Sequence, residues 1–248
     1  MLIRVVDLET TGFEPPEHAV VEIGWCDLVA KGRDLVGAPT DWRVEGGSWM
    51  FVNPGRPIPP ETSAVHHIVD EDVSRASPWP EALADVMSPT EPAIAILAAH
   101  SAKFERLWLT DAATGALPWI CTYKAALRLW ADAPLHSNQG LRYWRRPEGL
   151  DRSVANLAHR AYPDAYVTAH HLRDLLALAP VEDLITWSSE PALQVRCQFG
   201  KHRGTPWREV DHGFLWWVSE RDFDEDVLFT VRHELERRER EANDQELF

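Results

Sequence analysis

The sequence predicts an α/β fold, a mixed β-sheet flanked by helices, with a small appended region at the C-terminal end. Three observations carry this expectation. Three β-branched runs parted by turn residues come first, a fourth and wholly apolar run then opens an alternation of strands and helices, and the composition shifts near residues 180–191. The chain has 248 residues, 45% of them hydrophobic and 26% charged, which supports a sizeable core and argues against disorder.

Leu2–Leu8 reads as a buried first strand. Ala19–Cys26, after the Pro15-Pro16 turn, and Ser48–Val52, closed by Asn53-Pro54-Gly55, continue it as an antiparallel meander. Pro57–Pro60 breaks regular structure, and Glu61–Ile68 starts a short helix. Ala93–Ala99 is the fourth strand, apolar enough to be buried on both faces. A helix over Ala102–Leu109 and a brief strand at Trp119–Cys121 follow, then a helix over Thr122–Trp130 with Thr122 as its N-cap. Ser153–Tyr162 and Asp164–Ala179 read as two helices parted by Pro163. Residues 1–182 are expected to form the main domain. Residues 190–248 form the appended one, with a Phe-Gly-Lys-His-Arg-Gly turn at 199–204, a tryptophan-rich stretch and a helix over Asp224–Arg240.

The formal charge is −14, from 25 basic and 39 acidic residues, which by itself speaks against a non-specific nucleic-acid binder. Its placement is uneven. Residues 219–248 hold 11 acids and five arginines, so −6 lies in that tail. Cys26, Cys121 and Cys197 are odd in number and far apart, giving neither a disulfide framework nor metal-ligand spacing; buried, reduced thiols are expected. No apolar run approaches the ~20 residues that span a bilayer, and the first residues lack the basic head and apolar segment of a signal peptide. A cytoplasmic location is expected.

Three acidic segments carry the chemistry. Asp7 and Glu9 end the first strand and, two residues apart, share a face. Two carboxylates so placed repel unless a cation lies between them, and oxygen ligands favour Mg²⁺ or Mn²⁺; the plain alternative is a solvated strand end. Thr10-Thr11-Gly12 follows, with small residues that let backbone amides approach a ligand. Glu105, in His100-Ser101-Ala102-Lys103-Phe104-Glu105, falls in the first turn of a helix, where it would also complement the helix dipole. His159 precedes Asp164 by five residues, and a kink at Pro163 would aim both into one cleft; a structural histidine is the alternative.

Taken together, Asp7-x-Glu9 with Thr-Thr-Gly, Ala-His-x-Ala-x-Phe-acid and His-x-Ala-x-x-Asp resemble the three motifs of the DEDDh 3′→5′ exonucleases over residues 1–180. Trp119–Thr122, His136-Ser137-Asn138, Asp164–Ala169 and Phe199–Gly204 further resemble the exodeoxyribonuclease X-like members of that family. The resemblance implies an RNase H-like fold and hydrolysis of terminal phosphodiesters with two divalent ions, Mg²⁺ or Mn²⁺. Asp7 would serve both ions, Glu9 and Asp164 one of them, and Glu105 the other. His159 would take the proton from the attacking water. Thr10, Gly12 and His66, the last in Val65-His66-His67-Ile68, match positions beside the 3′-terminal nucleotide, although a plain helix turn equally suits His66.

Two departures stand out: the family has Asp at the position of Glu105 and Asn at that of Ser101. His170 and His171 do not offer an alternative third motif, because Ala169 stands five residues before Asp174. No nucleophile elbow and no phosphate loop competes.

For substrate, Lys124, Arg128, Arg142, Arg145 and Arg146 face Asp132 alone and interleave with Tyr143 and Trp144, as a single-strand path or as a solvated loop over core aromatics. Lys201, Arg203 and Arg208 with Trp207, Trp216 and Trp217 extend a DNA groove or form a small core, and Trp216 and Trp217 are expected to face different ways. The partner expected is a single-stranded DNA 3′ end. An RNA-trimming exonuclease and a nucleic-acid-binding module inactivated at Glu105 are the alternatives.

Overall fold

In the computed structural model, which describes residues 1–88 and 90–246, the five strands are β1 (Leu2–Thr10), β2 (Val20–Arg33), β3 (Pro39–Phe51), β4 (Ile94–Ala99) and β5 (Trp119–Cys121). They lie in the order β3-β2-β1-β4-β5. β1 is the central strand, antiparallel to β2 and parallel to β4. Its alternation divides the core, with Ile3 and Val5 on one face and Val6 and Leu8 on the other.

The β2–β3 hairpin is much longer than its apolar runs suggested. Its outer half pairs Val29 with Arg43 and Gly32 with Thr40, and side chains there are half-exposed, so backbone pairing continues after the hydrophobic signal ends.

The helices are α1 (Pro60–His66), α2 (Asp70–Val73), α3 (Trp79–Val86), α4 (Glu105–Trp108), α5 (Asp111–Thr114), α6 (Thr122–Leu129), α7 (Asn138–Arg145), α8 (Arg152–Ala155), α9 (Ala161–Leu176), α10 (Val181–Ser189), α11 (His212–Ser219) and α12 (Glu225–Glu246). α6 has Cys121, not Thr122, at its cap, because the Thr122 hydroxyl instead bonds the Ala99 carbonyl and His100. Nor does Pro163 divide two helices. It lies in the first turn of α9, where a missing N–H costs no helical hydrogen bond, so the helix passes through it. α9 packs on one face of the sheet through Ala165, Ala169, Leu172 and Leu175, while Ala102 and Trp108 cover the other face.

α10 occupies the compositional shift at 180–191, and its Val181 and Leu184 join the α9-side core. The residues beyond it build a separate small core from Cys197, Trp207, Val210, Leu215, Val218, Val227 and Val231. All three cysteines are buried and unpaired. No described helix is long and apolar enough to cross a membrane.

Candidate active site

Oxygen atoms of Asp7, Glu9 and Asp164 lie within 4.8 Å of one another. The first two stand on one face of β1, and Asp164 comes from the first turn of α9. Gly24 permits the meeting. It pairs with Asp7 across β1 and β2, and a Cβ there would lie 2.2 Å from the backbone nitrogen of Tyr162 and 2.3 Å from the Ala161 carbonyl carbon. Gly47 on β3 clears the Tyr162 ring in the same way, a Cβ there falling 2.7 Å from Cε2. The N-terminal end of α9 therefore rests directly on strand backbone.

Asp164 is fixed on both oxygens. Oδ1 accepts from Gln139 Nε2 at 2.7 Å and Asn138 Nδ2 at 3.3 Å, and Oδ2 accepts from the backbone N–H of His159 at 2.7 Å. Asn138 is pinned in turn, its carbonyl accepting from His171 Nε2 at 3.0 Å and its Oδ1 from the Thr168 hydroxyl at 3.2 Å. The His100 ring donates to the His136 carbonyl at 2.8 Å, tying the second motif to the same loop. His159 itself lies just before α9 with φ 61°, and its side chain is exposed. A left-handed residue, rather than a kink at Pro163, turns its backbone toward Asp164.

The sequence reading missed Glu22 and Arg160. Glu22 pairs with Glu9 across β1 and β2 and is buried. Its carboxylate accepts from Arg160 Nη2 at 2.5 Å and Nε at 3.0 Å and from the Ala161 N–H at 2.8 Å. The guanidinium lies 5.5 Å from the Trp49 ring centre and 5.6 Å from that of Phe51. A lone acid within the apolar run Val20–Cys26 was the available signal.

The carboxylates are crowded, with Asp164 and Glu105 buried and Asp7 and Glu9 half-buried. Burial, then the charges of Asp164, Glu9, Glu105 and Glu22, hold the Asp7 carboxyl well above the usual range. Burial and the charges of Asp164 and Glu22 push Glu9 up to about 8 against the opposing pull of Arg160. Burial pushes Glu105 up to about 8 as well. Glu105 stands outside the 4.8 Å group, yet its field reaches Asp7, and its buried Oε2 accepts no hydrogen bond among the described residues. Converging hard oxygen donors that repel one another, with one buried oxygen unpartnered, are a donor set suited to divalent cations.

His66, expected beside the substrate, is buried at the end of α1 with Nδ1 accepting from the Ile68 N–H at 3.0 Å, so Nε2 carries the proton and has no hydrogen-bond partner among the described residues. Burial lowers its pKa, opposed by the backbone of Thr10 at the end of β1. The Thr10 hydroxyl donates to the Gly12 carbonyl at 2.5 Å. A Cβ at Gly12 would overlap the His18 ring at 1.9 Å.

Most of the basic stretch is held by partners within the fold: buried Arg142 bonds the Ala155 carbonyl and Asn156, Arg128 pairs with Glu190 over Trp187, Lys124 bonds the Ser188 and Glu190 carbonyls at the edge of a groove, and Arg145 lies over Trp130. Trp216 and Trp217 face different ways, as expected: Trp217 packs against Phe214 and Phe223, ring centres 5.6 and 5.9 Å away, at the edge of the small core, while Trp216 stands further out, and the two are 45% and 59% exposed. Within the 199–204 turn, Lys201 and His202 clamp Asp211 at 3.1 and 2.7 Å. Asp211 also accepts from the Phe214 N–H and caps α11; that bond, then those from Lys201 and His202, lowers its pKa to about 2.

Residues 5–172 match the exonuclease (RNase T) family model. The chain is 30% identical to exodeoxyribonuclease 10 of Escherichia coli (strain K12) over 249 residues, covering 95% of this chain and 99% of the relative. It superimposes on a structure of exonuclease X in complex with 5′ overhanging duplex DNA with a TM-score of 0.57 at 28% identity, over 75% of this chain and 99% of the other. A zinc-bound E. coli ExoI–ssDNA complex shares the fold alone, with a TM-score of 0.54 at 12% identity over 73% of this chain and 41% of the other. The mixed five-stranded sheet flanked by helices is thus the RNase H-like exonuclease fold.

Proposed function

The chain belongs to the DEDDh exonuclease family, and on that premise we propose that it hydrolyses the terminal phosphodiester of DNA in the 3′→5′ direction, preferring free single-stranded 3′ ends. The observation that carries the proposal is the convergence of Asp7, Glu9 and Asp164 within 4.8 Å, with His159 bonded through its backbone to Asp164.

Asp7, Glu9, Asp164 and Glu105 would hold two Mg²⁺ or Mn²⁺ ions, with Asp7 serving both. When bound, such ions lower the pKa of water and neutralise charge on the attacking and leaving oxygens. The chain's own part is positional. Gln139, Asn138 and the His159 N–H fix the Asp164 carboxylate, while the exposed His159 ring is free to take a proton from the attacking water. Thr10, Gly12 and His66 would receive the 3′-terminal nucleotide. Glu105 keeps the charge of the family's aspartate with one more methylene, which supports an active enzyme over a binding module.

We divide the chain into a nuclease domain over residues 1–182 and a DNA-contacting region over 190–248. The exposed Trp216 and Trp217 support stacking on a strand there, and the match to exodeoxyribonuclease 10 over 95% of the chain supports DNA over RNA.

The test uses 5′-labelled single-stranded DNA, duplex DNA and RNA, each with Mg²⁺ or a chelator. Metal-dependent ladders shortened from the 3′ end, formed fastest on single-stranded DNA, are expected. Preferred cleavage of RNA would overturn the substrate assignment, and cleavage that survives chelation would overturn the metal chemistry.

A further inference from the structure

We propose that a cationic groove at the β5 edge holds the phosphodiester backbone of the substrate strand on the 5′ side of the cleaved bond; this deepens, and rests on, the exonuclease reading above. The groove encloses about 560 Å³. Lys103 and Arg106, which flank Glu105 in sequence, line one wall, and Lys124 of α6 and Trp119 of β5 line another.

Its chemistry is that of a donor surface. Lys103 makes no ion pair or hydrogen bond among the described residues, and Arg106 comes only within 4.0 Å of Asp111, the acid in the lining. The Lys124 ammonium uses two of its three protons on the Ser188 and Glu190 carbonyls, which holds its charge at the groove. Trp119 is 5% exposed and closes the groove against the core. Three cations against a single carboxylate suit a polyanion with acceptor oxygens.

The topology says which part of a strand lies there. Thr10 ends β1, paired with Val20 of β2, and Gly12 follows it, while His66 belongs to the α1 region, whose Ile58 and Ile68 pack on Val21 of β2. The groove lies at the opposite edge, beside β5. In strand order the acid cluster, on β1, stands between, and Glu105, whose charge reaches Asp7, links it to the α4 face on which the groove opens. With its last nucleotide seated on the β2 side, a strand being cut at the acids continues toward β5. The free cations of the groove are spaced along the segment that carries Glu105.

The test is the doubly charge-reversed variant Lys103→Glu/Arg106→Glu, with Arg33→Glu at the far end of β2 as control. Binding of a fluorescein-labelled 20-nucleotide single strand is followed by anisotropy in chelator, so that turnover plays no part. The double variant should bind about tenfold more weakly, and its log Kd should depend on log salt with a slope shallower by about 0.7 for each lost phosphate contact. The control should bind as the wild type does. Under Mg²⁺, the loss in kcat/KM on the 20-mer should exceed that on a dinucleotide by about tenfold, because a dinucleotide carries a single phosphodiester, the one being cut, and leaves none for the groove.

Unchanged 20-mer affinity in the double variant would overturn the proposal, as would equal losses on both substrates, which would instead mark a disturbed Glu105. A wild type that binds the 20-mer through the groove but forms no ladder would overturn the exonuclease reading and leave the groove standing.

Discussion

Asp164 and Glu105 belong to helices on opposite faces of the sheet, and the protein treats them in opposite ways. On the α9 side, Asp164 has partners for both oxygens: Gln139, Asn138 and the N–H of His159. On the α4 side, Glu105 is as deeply buried, and one of its oxygens accepts no hydrogen bond among the described residues. Asp7 lies between them and feels both charges. The difference separates two tasks. One acid is oriented by the fold itself, while the other has an oxygen free to coordinate and carries a desolvation cost in its charged form.

The largest effect tests what the two sides share. Asp7→Ala should abolish ladder formation with an unchanged far-UV CD spectrum, and wild-type rates in that variant would remove the acid cluster from the chemistry. Next comes the side chain of His159. Its backbone holds Asp164 while its ring is exposed, so the two roles come apart experimentally. His159→Asn, which tolerates the left-handed backbone, should lower kcat by about 10²–10⁴-fold while leaving the melting temperature within a few degrees. Near-normal turnover would mean that another group activates the water.

The smallest effect addresses the contrast itself. Glu105 binds its proton up to about pH 8 in the folded protein but only to about 4.5 when unfolded. The stability this contributes is fully present below pH 4.5 and is lost as pH rises through 8. In metal-free protein, Glu105→Gln should therefore leave the melting temperature unchanged near pH 4.5 and raise it near pH 8. Asp164→Asn should do the reverse and lower it, because an amide nitrogen would then face one of the donors that now bond to the carboxylate. Equal responses at the two positions, measured by thermal melts across that pH range, would erase the distinction.

Much of this was legible in the chain. Alternation along β1 placed Asp7 and Glu9 on one face, and the five-residue offset of His159 and Asp164 placed both at one junction. What stayed hidden depends on contacts between distant segments. Glu22 and Arg160 are 138 residues apart, and only the register of β1 with β2 and the seating of α9 bring them together. The roles of Asn138 and Gln139 are hidden for the same reason. Local sequence is ambiguous where one residue has two outlets: Pro163 can break a helix, yet the first helical turn accommodates it, and Arg142 can serve as a surface cation, yet three acceptors surround it. The outer part of the β2–β3 hairpin lacks an apolar signal because so little of it is buried.

Gly24 has one more consequence. Most helices ride on a sheet over a cushion of side chains, and that cushion can be compressed or refilled when the core changes. Here the first turn of α9 bears on bare main chain, with no room even for a methyl group. The gap between the Asp7 and Asp164 carboxylates is thereby gauged by peptide planes, which are stiff, and not by side chains, which repack. Substitutions deeper in the layer can loosen the far end of α9 while the end that carries Asp164 keeps its setting, so the tolerance of the acid cluster to core variation is built in at a position that has no side chain at all.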